Sequence, residues 1–282
     1  MTHKICTLLA LACAGVIAAP AAAKEKPPVF VTAAPVKDKP AVSLDPAQGH
    51  VMVRAHGTLP LYLMRIPSAE DAAAYRRLRD EAFATAREKY AKRLASYQRQ
   101  MKAFEDQPKG TPGAQRPETP VEPTEANFEF TPFEMLTGVA IGPLNRFAKA
   151  EGGGSTYLHA LTPGSYRVYG LINAAQNGAM TGVCYCMGSV GFDVRAGEIT
   201  DLGHVKLMPA TEVDLKAPVP PLFEPATMPL DPRLASATVR PAAFRPVGKL
   251  PNYFGLTISR VGEMPGVLRY DRDRIVDLTA AR

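Results

Sequence analysis

Cys184 and Cys186 stand one residue apart in the stretch GVCYCMGSVGFDVRAG, with Met180 just before it and Met187 directly after the second thiol. Thiols at that spacing admit three chemistries. Side chains two apart in a strand share a face. Cys184, Cys186, Val190, Phe192 and Val194 then lie on one core-facing side, with Tyr185, Met187, Ser189, Asp193 and Arg195 on the other. On that pattern both thiols are small buried apolar groups. Oxidation is the second reading; Cα atoms two residues apart in an extended strand sit near the upper limit of disulfide reach, so a local bulge is required. The third is a soft-metal site, in which Cys184, Cys186, Met180 and Met187 offer thiolates and thioethers to Cu(I). Against it, Met187 falls on the wrong side of a regular strand and no histidine is close in sequence.

Catalytic groups are harder to find. Beyond the first residues the histidines are His50, His56, His159 and His204. No G-x-S-x-G and no H-E-x-x-H spacing is present. EGGGST, residues 151–156, lacks the following lysine and the strand–helix context of a phosphate loop. Asp271-Arg272-Asp273-Arg274 is the pattern of a solvated turn with local ion pairs. No enzymatic activity and no cofactor are expected.

The elements that must position these residues begin with a leader. Lys4, the apolar run Ile5–Ala19 and the small residues Ala21–Ala23 make a cleavable signal peptide over residues 1–23. Cys13 lacks the bulky apolar residue three places earlier that lipidation requires, since Ala10 is there. The expected location is the periplasm or the extracellular space, with outer-membrane association the open variant. No later stretch reads as a transmembrane segment. The formal net charge is +6, with basic residues distributed along the chain, so no nucleic-acid footprint is expected.

Residues 24–48 carry five prolines and read as an extended lead-in. Residues 49–66 alternate as two strands around a turn near Gly57–Pro60. From Ser68 the period changes. Tyr75, Leu78, Ala82, Ala86, Tyr90, Leu94, Tyr97, Met101 and Phe104 follow at spacings of 3 and 4, a single stripe on one helix and the kind used by coiled coils. Ser68 and Asp71 supply its N-terminal cap. Residues 107–127 then hold five prolines. An extended segment of that length matches the helix, so residues 68–127 read as a helical arm with an extended return, inserted into a sheet. Tyr75, Tyr90, Leu94, Tyr97, Met101 and Phe104 are the residue types enriched at protein interfaces. They are the candidate surface for a protein or cell-envelope partner; packing against the return is the competing use of the same stripe.

Short strands bounded by Gly or Pro resume at residue 128 and end near Met208, giving a mainly β fold, an antiparallel β-sandwich over 49–208 with one long inserted α-helix. Residues 209–282 form a Pro-rich linker and C-terminal strands that pack back. LTPGSYRVYG and FDVRAGEITDLGHVKL carry a resemblance to transthyretin-like domains, the carboxypeptidase regulatory-like domains of bacterial envelope proteins. The layout is also similar to that of exported alphaproteobacterial proteins. That resemblance implies a sandwich that is usually non-catalytic and brings no active-site residues. The combined expectation is a non-catalytic exported envelope protein with a binding or structural role; the alternative is periplasmic metal handling or redox chemistry at Cys184 and Cys186.

Overall fold

The computed structural model describes residues 28–55, 60–108, 115–149, 154–174, 179–205, 222–225 and 229–280. The expected signal peptide, residues 57–59 of the expected turn and most of the Pro-rich linker lie outside the described residues. In chain order come β1 (Ala33–Pro35), β2 (Gly49–Ala55), β3 (Leu61–Arg65), α1 (Ala69–Glu105), a short 3-10 turn (Phe133–Thr137) and β4 (Gly138–Ile141). Then follow β5 (Ala148–Lys149), β6 (Ser155–Leu161), β7 (Gly164–Ala174), β8 (Met180–Cys184), β9 (Val190–Val194) and β10 (Glu198–Val205). The tail adds β11 (Phe223–Glu224), β12 (Thr238–Pro241), β13 (Arg245–Pro246), β14 (Thr257–Ile258), and a hairpin of β15 (Leu268–Asp271) and β16 (Arg274–Asp277). The fold is mainly β with one long helix.

One sheet runs β1-β6-β2-β10-β11, with β5 on β6 and β12 on β10; the other runs β13-β9-β7-β3-β4, with β8 on β7 and β14 on β8. The sheets are mixed, which corrects the expectation of a purely antiparallel arrangement. β10 lies parallel to both β2 and β12, and β14 lies parallel to β8. The cause is local. The Ala196-Gly197 turn, with Gly197 at φ +73°, does not make a hairpin; it carries the chain from β9 in one sheet to β10 in the other. A turn signal fixes a reversal of direction but not the strand that becomes the neighbour. Pro163 and Gly164 likewise join β6 and β7 across the sheets, and the Tyr166 hydroxyl donates back to the Thr162 carbonyl at 2.5 Å.

Alternation in each strand supplies the faces. Val51, Val53, Tyr157 and Leu161 of the first sheet meet Leu63, Tyr166, Val168, Val190, Phe192 and Val194 of the second in one buried cluster. Burial of each such side chain is worth roughly 1.5–3 kcal/mol. The outer faces are apolar too, and the extensions cover them. Met52, Leu158 and Ile199 pack with Phe147 and Leu234, flanked by Val36, Val42 and Leu44 of the lead-in. Met64, Tyr169 and Ile172 pack with Leu250 and Leu256 of the tail. The lead-in is therefore more than a spacer, since β1 pairs with β6. The two histidines of this first sheet part company: β2 and β6 pair with His50 opposite Ala160 and Val51 opposite His159, so His159 shares the central face with Val51 while His50 lies on the outer one.

Candidate functional site

The strand expected to hold both cysteines is interrupted. β8 ends at Cys184, residues 185–189 turn, and β9 starts at Val190. This corrects the single alternating face: Val190, Phe192 and Val194 enter the central cluster, whereas Cys184 and Cys186 enter the outer one with Met64, Tyr169 and Ile172. Tyr185, expected to point outward, is buried in the central cluster. The turn supplies the bulge that a short disulfide needs, and the structure joins Cys184 to Cys186 with their Cα atoms 5.2 Å apart. That separation is within ordinary disulfide reach.

The tail stitches over this pair. Leu250 N–H donates to the Cys186 carbonyl at 2.8 Å and Ser259 N–H to the Cys184 carbonyl at 2.9 Å. Both side chains are essentially inaccessible, at 0% and 4% exposure. Met180 packs against the same cluster, while Met187 belongs to none of the clusters. A disulfide has no thiolate to give a metal, and among the described residues no three His, Cys, Asp or Glu side chains gather as a metal site. The arrangement can brace the tail against the sheet; exchange with an external thiol would first require the tail to lift.

His50 and His159 do not form a pair. Each is buried, and neither Nδ1 finds a hydrogen-bond partner. Desolvation lowers the His159 imidazole to about 4, and lowers His50 against the pull of Asp45. On opposite faces of their sheet, they cannot share a proton or a substrate. A third polar feature is Arg54, buried on the outer face, which donates from Nη1 to both Asp201 carboxylate oxygens at 2.8 and 3.0 Å. Asp201 also edges an apolar hollow of about 820 Å³ lined by Leu202, Phe223, Phe244, Met264 and Val267. No nucleophile–base pair lines that hollow.

The arm is the larger feature. β3 and β4, which it connects, are antiparallel neighbours, so it leaves and re-enters one sheet at adjacent strands. Its start is fixed in three ways. The Ser68 hydroxyl accepts from Asp71 N–H while the Asp71 carboxylate accepts from Ser68 N–H, a closed capping box. The same carboxylate takes a 2.6 Å hydrogen bond from Arg65 at the end of β3. Burial pushes the Asp71 carboxyl up, but those hydrogen bonds outweigh it and leave it lowered. Tyr75 then stacks on Phe133 with ring centres 4.6 Å apart, edges against Phe30, and donates its hydroxyl to the Thr131 carbonyl at 2.9 Å.

From Ala69 to Glu105 the helix runs 37 residues without one buried side chain, about 55 Å. The return lies along it. Arg79 pairs with Glu125 at 2.6 Å, Phe83 meets Phe128 with ring centres 5.0 Å apart, and Thr119 donates to the Tyr97 hydroxyl at 3.2 Å. Tyr75, Tyr90, Leu94, Tyr97, Met101 and Phe104 are all half-buried. The expected partner surface is thus engaged by the chain itself at Tyr75 and Tyr97. Among the described residues no second helix of comparable length exists for α1 to wind upon. A coiled coil therefore has no partner helix among the described residues. Among the described residues, no helix is long and apolar enough to cross a membrane.

No family model matches the chain, and no curated protein or solved structure matches it.

Proposed function

We propose that this chain is a non-catalytic, exported protein of the cell envelope, built on a transthyretin-like β-sandwich and acting through its arm as a binding or scaffolding element. The observation that carries the reading is the 37-residue helix with no buried residue, pinned at one end to β3 by Arg65–Asp71 and to the aromatic base by Tyr75. Helices in proteins draw most of their stability from packing an apolar face on a core. This one gives up core packing over most of its length and is held instead by its return, an arrangement suited to reaching outward. The Thr162–Tyr166 and Ala196-Gly197 turns support the sandwich reading. A redox role has weaker support, because Cys184 and Cys186 lie sealed beneath residues 250–259.

The test is a pulldown from an envelope extract with the full protein and with one whose residues 84–122 are replaced by a short Gly-Ser bridge. Arm-dependent capture supports the reading; identical recovery by both proteins refutes it. Export is tested separately by N-terminal mass analysis of protein from its own host, which should begin at Lys24 and carry no acyl group on Cys13.

A further inference from the structure

The return engages the half-buried stripe of α1 at Tyr75 and Tyr97, and the other face of the helix is open to contact. Thr85, Glu88, Lys92, Ala95, Arg99 and Lys102 succeed one another at spacings of 3 and 4, which puts them on a single helix face. All six are exposed. Charge along the helix is strongly uneven. Residues 87–102 hold Arg87, Lys89, Lys92, Arg93, Arg99 and Lys102 against the single acid Glu88 before the helix ends on Glu105 and Asp106, and Lys92, Arg99 and Lys102 are the three that lie on this face; residues 69–86 hold three arginines against four acids. Each of those six distal cations is exposed. None has a carboxylate within ion-pairing distance among the described residues. The return does carry Glu118 and Glu122, but they line a groove with Tyr97 and Arg93 on the stripe side, away from Lys92, Arg99 and Lys102.

We infer that the distal basic face of α1 docks on a phospholipid bilayer bearing anionic headgroups, a proposal that rests on the arm being the contact element and names what it contacts. Charge complementarity is one ground. The second is what the face lacks. A stable protein interface needs aromatic or aliphatic anchors seated in pockets, yet every aromatic of the distal helix, Tyr90, Tyr97 and Phe104, lies on the half-buried stripe. The small side chains of Thr85 and Ala95 among the charges offer nothing for a folded partner to grip. A fluid anionic surface requires no such fit: it responds to the number of cations brought within a Debye length, about 8 Å at physiological ionic strength. With no apolar face to insert, the helix rests on the headgroups, and binding is reversible and sensitive to salt.

The experiment uses the full chain without its leader in cosedimentation with vesicles of phosphatidylcholine mixed with phosphatidylglycerol, and of phosphatidylcholine alone. Binding should occur on the mixed vesicles only and weaken steeply as salt is added. The triple variant Lys92→Gln, Arg99→Gln, Lys102→Gln keeps good helix formers at each position. It should lose about 100-fold in partitioning, from roughly 1 kcal/mol per cation and 1.4 kcal/mol per tenfold. Arg76→Gln with Arg77→Gln, equally exposed but near the base, should retain partitioning within a few-fold. Far-UV circular dichroism on each variant checks the helix. Equal binding to both vesicles, absence of binding to either, or a triple variant that binds like the parent overturns the proposal. If vesicles fail while the pulldown still shows arm-dependent capture of a protein, the lipid assignment falls and the arm's role stands.

Discussion

His159 should make stability depend on pH in a window above that of the lowered carboxyls of Asp71, Asp193, Asp231 and Asp277. Its imidazole faces the central core between Pro35 of β1 and Val51 of β2, at 5% exposure, with Nδ1 unpartnered. Charging it there would strand a cation in the core, so burial lowers its pKa from 6.5 to about 4. The sign follows from proton counts. Between those values the unfolded chain holds a proton that the fold does not, so stability rises with pH. The contribution is present in full above 6.5, is lost as pH falls toward 4, and changes no further below that. At about 1.36 kcal/mol per unit the loss is on the order of 3 kcal/mol, a large share of a typical domain's 5–15 kcal/mol. Burial lowers His50 as well, so it acts in the same direction. The lowered carboxyls of Asp71, Asp193, Asp231 and Asp277 start from 3.8 and lose their contribution beneath this window. Urea unfolding at a series of pH values between 7.5 and 4 reads the effect, about 3 kcal/mol from His159 with His50 adding in the same direction. The variants His159→Leu and His159→Gln should both show a shallower fall, whichever of them packs better at neutral pH. A parent protein whose stability is flat across the window would refute the reasoning. So would an NMR titration of the His159 ring with a midpoint near 6.5.

Three further outcomes are expected. Replacing residues 84–122 by a Gly-Ser bridge should leave the thermal midpoint of the sheets nearly unchanged, since loop closure varies slowly with length. Removing all of 68–127 should cost roughly 1–3 kcal/mol through loss of the Tyr75 stacking and the Asp71–Arg65 pair; a truncated protein that cannot fold would show the helix to be part of the core. Intact mass should show Cys184 and Cys186 short of two hydrogens until reduced, and copper should not raise the melting temperature. The Cys184→Ala, Cys186→Ala variant should lose a few kcal/mol, combining a short-loop constraint of about 1–2 kcal/mol with lost packing; a copper-dependent rise in melting temperature that disappears in this variant would restore the metal reading. Asp201→Asn, which leaves Arg54 buried without its carboxylate, should destabilise by roughly 3 kcal/mol, and Arg54→Met with Asp201→Leu should cost less than either single change. Chemical denaturation of these variants checks this, and additive losses would deny the coupling.

What is legible in the sequence follows the range of the forces involved. The helix start is readable at Ser68 and Asp71 because a capping box is local, and its stripe is readable because period 3.6 is a property of one element. The insertion of the arm between neighbouring strands can be argued from matched lengths alone. The parallel placement of β10 beside β2 cannot, because it depends on which of two sheets the chain enters after Gly197. The cysteines show the same limit at smaller scale. Even-numbered alternation holds through Val190, Phe192 and Val194 but does not extend back across the turn at 185–189, which contains one glycine and no proline to announce it. Parity of position has no meaning across an interrupted strand, and so Tyr185 and Cys186 exchange the surroundings that alternation assigns them. The arm's outer face is hidden for a different reason. Its aromatic stripe reads as a partner surface, because interface-rich residue types and core-rich residue types are the same types. The return segment bears on the choice by engaging Tyr75 and Tyr97, while Lys92, Arg99 and Lys102 stay exposed to solvent or to an anionic surface.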